Sequence, residues 1–399
     1  MSKKELAAIG SSANPDAFSA GQAAALTASK QLAPHRVQGV IAFASSWYDQ
    51  AQLLAGIQNI VGQVPVVGGT TAGEITPLGP KTHSCVLLAM AYEDIVVGMG
   101  AGGHVDQDPR LAGYQLAQQA VQPMNGKPRR GLIMFGDGLL TGYAEVLRGI
   151  QEVLGTSSPV TGCLMGDDLR FTRTCQYAGD QALTNSVVGL LFGGACAIGV
   201  GVEHGFEPIS KPRRITKAHE NILYELDGQP AASVYEEYFG ADVLENLRKE
   251  GGLTRCLIAY PLGMQLESTE QYLLRNIMSF GEDGSLICTG EVSEGSWVQI
   301  MIGSKEPALE AASLATWQAV RNLKAVRFVL IFDSVSRKRL LGRAAADEIS
   351  RIRKVIGPAV PVIGCYSYGE QTPLGQDYGQ WRASVQNGAC LIVAVGTEK

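Results

Sequence analysis

The sequence predicts an α/β fold: two lobes of mixed, partly parallel sheet with flanking helices, built from internal β-α-β repeats. Three observations carry this. The chain has 399 residues, too many for one small core. Its composition, with 46% hydrophobic and 18% charged residues and 48 glycines, is that of a turn-rich globular protein. One short frame recurs: VPVVGGTTAGEITPLG (Val64 to Gly79) returns as VPVIGCYSYGEQTPLG (Val360 to Gly375), with a looser copy, SPVTGCLMGDD (Ser158 to Asp168), between them.

Each copy is preceded by the same two elements. The apolar runs GVIAFAS (Gly39 to Ser45), GLIMFGD (Gly131 to Asp137) and FVLIFDS (Phe328 to Ser334) read as strands buried on both faces. The following stretches have helical periodicity, as in Leu53, Leu54, Ile57, Ile60 and Val61. They end as GIQNIVG, GIQEVLG and IRKVIG, each at a glycine suited to a C-terminal cap. Pro65, Pro159 and Pro361 then open a second strand, where a missing N–H is tolerated. A short crossover of this kind implies parallel strands. Further strands follow each turn: SCVLLAMAY and IVVGMGAG, then NSVVGLLFGG and ACAIGVGVE, then SVQNGACLIVAVG.

Ile215 to Gly240 reads as a strand, a turn at Asp227–Gly228 and a helix. LIAYPLGM, YLLRNIMSF, SLICTGEV and SWVQIMIG follow as short strands, with EDG (Glu282 to Gly284) as a hairpin signal. The organisation expected is an N-terminal segment 1–36, a first domain 37–206 with two repeats, a Pro-rich basic linker 207–214, and a second domain 215–399 whose third repeat spans 325–396.

The net charge of −5 gives no general electrostatic reason to bind nucleic acid or anionic lipid. No apolar run is long enough to span a membrane, and no export signal follows the first lysines. The eight cysteines, at 85, 163, 175, 196, 256, 288, 365 and 390, include no CxxC pair. A cytoplasmic protein with free thiols and no structural zinc site is therefore expected.

Ligands of such units collect at the carboxyl ends of the strands. The conserved frame therefore builds strand and turn, and the variable centre either faces a ligand or packs against its neighbours. Thr70 and Thr71 offer hydroxyls there. Tyr366 and Tyr368 share a face if extended, where they could sandwich a ligand or fill core. Cys163 and Cys365 share the place of Gly69, and small buried residues suit a tight turn better than a nucleophile there. Glu74 and Glu370 hold one repeat position and Asp167–Asp168 the related one. Acid–base chemistry is conceivable, but carboxylates that fix each turn by accepting N–H bonds are the simpler reading. Arg275 lies in an apolar run and needs an anion, either a ligand carboxylate or an internal Glu291 or Glu294. FGDGLLTG (Phe135 to Gly142) could place a phosphate at a helix N-terminus, although its spacing is not a nucleotide fingerprint. SRKRLLGR (Ser336 to Arg343) reads as a solvated basic face or a docking patch.

The repeated turn, GCLMGDDLRF, LYELDGQPAASVYEEYF, YPLG, YLLRNI, TGEVSEGS and VPVIGCYSYGEQ together resemble the FIST domain, in order, over about Val37 to Gly396. That resemblance implies a cytoplasmic bacterial small-ligand sensor for signal transduction that is not an enzyme, with amino acids as the ligands proposed for the family. In architecture the chain is similar to the stand-alone branch that binds haem b, senses nitric oxide and regulates a partner histidine kinase in trans. A cyclic-nucleotide signalling enzyme is the alternative partner. Haem needs an axial ligand, and by position His204 comes first, with His219 and His104 as alternatives. A sensor without haem, for an amino acid or other small metabolite, would bind through Thr70, Thr71, Arg275, Cys365, Tyr366 and Tyr368. A hydrolase or transferase using Glu74 or Glu370 is a third reading, from another class.

Overall fold

The computed structural model describes residues 6–249, 257, 259–266, 271–373 and 383–399. Cys256, the chain start Met1–Glu5, and Leu374–Gly375 of the third frame lie outside them.

Three six-stranded sheets form the body, and each is built on one parallel pair from the repeat: Gly39–Ser45 with Val66–Thr71, Arg129–Asp137 with Val160–Met165, and Leu323–Ser334 with Val362–Ser367. The α/β reading and the mixed, partly parallel sheets are therefore present as expected. Two helices cover the outer face of each sheet. They are Ala17–Leu32 with Gln50–Val61, Pro109–Val121 with Tyr143–Leu154, and Lys305–Val320 with Ala345–Ile356. The three crossover helices end at Gly62, Gly155 and Gly357, all with positive φ (76°, 72° and 89°).

The inner faces of the three sheets meet in one core. Phe43, Phe135 and Phe332 hold the same place in the three apolar runs. Their rings touch edge-to-face in a closed triangle, with centroids 5.8, 5.9 and 6.1 Å apart. Such pairs add about 0.5–1.5 kcal/mol each beyond burial.

The repeats also exchange strands. After its turn, each repeat leaves its own sheet and caps another's parallel pair. Glu74–Thr76 of the first repeat pairs with Val362–Ser367, Gln176–Ala178 of the second with Val66–Thr71, and Gly369–Pro373 of the third with Val160–Met165. The exchange is cyclic, and in register it sets Glu74 opposite Cys365, Gln176 opposite Gly69 and Glu370 opposite Cys163. All three turns consequently gather at one end of the shared core.

The frame glycines have a steric cause. A Cβ on Gly68, Gly162 or Gly364 would sit 2.0, 1.9 or 2.1 Å from the carbonyl oxygen of Ala42, Met134 or Ile331 on the neighbouring parallel strand. No side chain fits there, whatever the turn binds.

A nine-stranded sheet with its own apolar core occupies the region between the second and third repeats. Two segments differ from the sequence reading. Ile215 to Leu226 is a hairpin of two strands, Arg213–His219 and Ile222–Leu226, because Glu220 takes a left-handed turn conformation (φ 51°). YLLRNIMSF splits into Tyr272–Arg275 and Ile277–Phe280, which lie at opposite ends of the strand order. The hairpin at Glu282–Gly284 is present.

Candidate functional site

The carboxylates of the turns are structural in their contacts. Glu74 is fully buried and accepts Thr71 Oγ1–H at 2.7 Å, Ser84 Oγ–H at 2.6 Å and Ser84 N–H at 3.2 Å. Glu370, equally buried, accepts Ser367 Oγ–H at 2.7 Å and Ala389 N–H at 3.2 Å. In both copies the hydroxyl three residues earlier makes the bond. Burial pushes Glu74 up to about 7 and Glu370 up to about 8, against the hydrogen bonds that favour their ionised forms. Asp167 goes the other way. Burial opposes ionisation, but the Tyr368 hydroxyl (2.5 Å) and the N–H groups of Phe171, Thr172 and Arg173 hold its carboxyl below the usual range.

The other turn residues separate. Thr71 is committed to Glu74 and to Gly73 N–H. Cys365 is buried with its Sγ 3.8 Å from that of Cys163, on the axis where the sheets meet. Tyr366 is fully buried under Lys338, whose Nζ lies 4.9 Å from the ring centroid. Tyr368 stacks instead on Phe171 at 4.9 Å. The two tyrosines therefore take different neighbours. Thr70 lines a cleft of about 490 Å³ beside the first sheet.

Arg275 is 4% exposed, at the wall of a larger cleft of about 580 Å³ that Leu164 of the second copy also lines. The strand Tyr272–Arg275 carries it, and Gly290 leaves room for its guanidinium: a Cβ there would come within 3.2 Å of Cζ. Nε donates to Glu291 O (2.8 Å), and Nη1 to Leu274 O and Val385 O (3.0 Å each). These partners are neutral carbonyls. The expected internal carboxylate pair is not formed: Glu291 contributes its backbone oxygen, and Glu294 accepts Ala218 N–H instead. Without a counter-charge in contact, burial draws the guanidinium down to about 10. Nη2 makes no hydrogen bond to a described residue.

Opposite Arg275 stands the start of the helix Tyr143–Leu154, part of the FGDGLLTG motif. Its N-cap, Gly142, offers no side-chain cap. Glu220 and Glu291 also line the cleft. Glu220 was not singled out in the sequence, although a polar pair inside an otherwise strand-like run is a hairpin signal.

The three candidate histidines stand away from both described clefts. His204 is largely enclosed; its Nδ1 accepts Phe206 N–H at 2.9 Å, and burial with the Arg337 charge draws it down to about 4. His104 and His219 are exposed. None of the three lines either large cleft, whereas haem ligation requires an imidazole beside an apolar slot.

The basic segment SRKRLLGR is not one surface. Arg337 is fully buried between Asp333 and Glu348, and Lys338 Nζ reaches across to Ala72 O at 2.7 Å. Asp333, Glu348 and Cys390 bring their ligand atoms within 4.8 Å of one another. The cation these carboxylates hold is the Arg337 guanidinium.

The fold and clefts define an α/β protein with small-molecule-sized cavities. The FIST N domain pattern matches residues 38–229 and the FIST C domain pattern residues 231–373, and the chain belongs to the FIST family. FIST domains are small-ligand sensors of signal transduction. Similar curated proteins are uncharacterised. One from Methanocaldococcus jannaschii is 23% identical over 63% of this chain and 51% of its own length, and one from Mycobacterium tuberculosis is 26% identical over 56% and 59%. The chain thus spans about half the length of the curated relatives it matches. Among solved structures, a cyanuric acid hydrolase from A. caulinodans aligns over 99% of both chains at 11% identity and a TM-score of 0.38, and a second cyanuric acid hydrolase over 98% at 10% and 0.38. These comparisons correct the expectation that the chain is not an enzyme, since the solved proteins it aligns with throughout are hydrolases. At that similarity they assign no reaction to this chain. Among the described residues no helix is long and apolar enough to cross a membrane.

Proposed function

We propose that this protein is a sensor for a small amino-acid-like metabolite bound in the 580 Å³ cleft, with Arg275 taking the ligand's carboxylate. The observation that carries this reading is a nine-tenths buried guanidinium that faces a cleft without a carboxylate partner. A buried cation is stable when an anion completes it, and a cleft of this size suits a small ligand. The uncapped N–H groups of Tyr143–Leu154 add to the field that favours an anion. Glu220 and Glu291 supply acceptors for an ammonium group.

The cleft lies between the second repeat and the nine-stranded sheet, with Ser384 and Val385 of the third repeat also lining it. Binding would therefore draw two packed units together, and a partner protein would read the change. A histidine kinase or a cyclic-nucleotide signalling enzyme is the proposed class of partner. The haem and nitric oxide version stands apart. A Soret band after haemin addition, lost in His204→Ala, would favour it over the cleft reading.

Calorimetry with free amino acids and their amides tests the proposal. Arg275→Gln is expected to weaken binding by about ten- to a hundredfold, as a charged hydrogen bond of about 1.5–3 kcal/mol requires. Amides that bind as tightly as the acids, or an Arg275→Gln protein that binds unchanged, would reject it.

A further inference from the structure

The cleft of about 490 Å³ beside the first sheet shares no lining residue with the Arg275 cleft. Its walls include Ser46, Gln50, Thr70, Arg170, Thr172 and Arg173. The two arginines come from one loop, and that loop is held in an unusual shape. Asp168, Leu169 and Phe171 all have left-handed backbones, with φ of 57°, 62° and 52°. Residues other than glycine seldom adopt this unless their surroundings fix it, and such segments concentrate at binding sites. What fixes it here is the buried Asp167 carboxylate, which gathers the N–H groups of Phe171 (2.9 Å), Thr172 (2.6 Å) and Arg173 (2.9 Å).

The loop presents two cations that have no acidic partner among the described residues. Among the described residues neither Arg170 nor Arg173 enters an ion pair. Arg170 lies over the Trp47 ring at 5.6 Å, and Arg173 against the Cys175 thiol. The acids nearby are already engaged. Asp49 caps the helix Gln50–Val61 through Gln52 N–H, and Asp168 Oδ2 takes Ser45 Oγ–H, Ser46 N–H and Ser46 Oγ–H, each at 2.8 Å. A second observation is independent of the arginines. Thr70 is 1% exposed, lines the cleft and uses its Oγ1 to accept Cys175 N–H at 2.9 Å, and its own hydroxyl proton has no acceptor among the described residues. Two guanidinium groups with no ion-pair partner, and a buried donor with no acceptor, among the described residues converge on one space.

We propose that this cleft is a second binding site, for the oxyanion of a small metabolite, a phosphate or a carboxylate. Arg170 and Arg173 hold the anion, and the Thr70 hydroxyl donates to it from the floor. Planar guanidinium forks match the oxygens of either group. Trp47, 64% exposed and tilted against His83 at 4.8 Å, stands beside the site as its natural reporter.

Pyrophosphate and citrate serve as probes, followed by tryptophan fluorescence and by calorimetry on the full chain. A saturable, salt-weakened fluorescence change is expected for at least one of them. Trp47→Phe should lose that change while the calorimetric binding remains. The exposed pair Arg170→Gln/Arg173→Gln should weaken binding by about tenfold or more, and Arg275→Gln should leave it intact, which separates this site from the proposed sensor site. Tighter binding of pyrophosphate identifies a phosphate site, and tighter binding of citrate a carboxylate site. Failure of both probes to bind saturably, or equal binding by the double variant, would overturn the proposal.

Discussion

Replacing Arg337 by methionine separates the buried ion cluster from everything else in the molecule. Arg337 donates from Nε to Asp333 Oδ1 (2.8 Å) and from Nη2 to Glu348 Oε1 and to Ala308 O (2.8 Å), while Nη1 donates to His204 O. All three charged side chains are fully buried. Asp333 Oδ2 and Glu348 Oε2 have no other partner. One guanidinium thus serves two carboxylates. Burial first, and the Glu348 charge second, push the Asp333 carboxyl well above the ordinary range. Removing one member of such a group destabilises by about 3–5 kcal/mol. With an unfolding entropy of about 2.1 cal/mol/K per residue over 399 residues, the melting temperature should fall by roughly 4–6 °C. The pH dependence is the sharper signature. The Arg337 charge opposes the rise of the Asp333 carboxyl, so without it that carboxyl lies higher still in the folded chain. Folded pKa values above the unfolded ones give stability that is present at low pH and lost as pH rises. The gap between variant and wild type should therefore widen as pH rises from the ordinary carboxylate range to about pH 8. Differential scanning calorimetry across that range measures it, with exposed Arg343→Met as control. A variant that melts with the control, or a gap that does not widen, would refute the reading of Arg337 as the counter-charge of Asp333.

Three further outcomes are expected. Glu370→Gln, a mimic of the protonated acid, should flatten the loss of wild-type stability that accompanies the rise from about pH 4.5 through its folded value of about 8, and Glu74→Gln should do so up to about 7, as read from urea midpoints at several pH values. Phe332→Ala should destabilise by about 3–5 kcal/mol, and a double-mutant cycle with Phe43→Ala should show coupling of about 0.5–1.5 kcal/mol between the touching rings. Gly162→Ala should lower stability by about 3 kcal/mol or fail to accumulate folded protein, since its Cβ would sit 1.9 Å from Met134 O.

The repeat made the body of the fold legible. Apolar runs, helical periodicity and capping glycines are local signals, and they place every parallel pair and crossover helix. The cyclic exchange of strands was not legible, because nothing in Glu74–Thr76 states that its partner is Val362–Ser367 nearly three hundred residues away. Long-range pairing is decided by which edge remains open after the sheets assemble. The candidate sites divide on similar lines. Arg275 stood out because a lone arginine in an apolar run has few innocent explanations. Arg337 was hidden by its neighbours: Lys338, Arg339 and Arg343 make a basic, solvated-looking segment, and the four-residue step from Asp333, near the end of its strand, to Arg337 in the helix that follows was the signal that could have exposed the pair. Arg170 and Arg173 carry no pattern of their own, because their significance comes from the backbone that Asp167 imposes.

The exchange also explains why the frame of the turn is repeated while its centre changes. Gly69, Cys163 and Cys365 occupy one position in three copies, and the fold brings their strands together around a single core. Residues that meet at an axis cannot be chosen independently, since three equal side chains would compete for the same volume. Cys163 and Cys365 face each other at 3.8 Å. The third position has no room for a side chain. A Cβ on Gly69 would meet Met165 Sδ at 2.5 Å and Cys175 O at 2.2 Å. Met165 of the second repeat therefore fills the space that the first repeat leaves. Trimming Met165 would not make Gly69→Ala acceptable, because the Cys175 carbonyl, just before the strand that the second repeat lends to the first sheet, is held there by Thr70 N–H. The frame is constant because each copy must build the same parallel pair, and the centres differ because they are three parts of one packed interior.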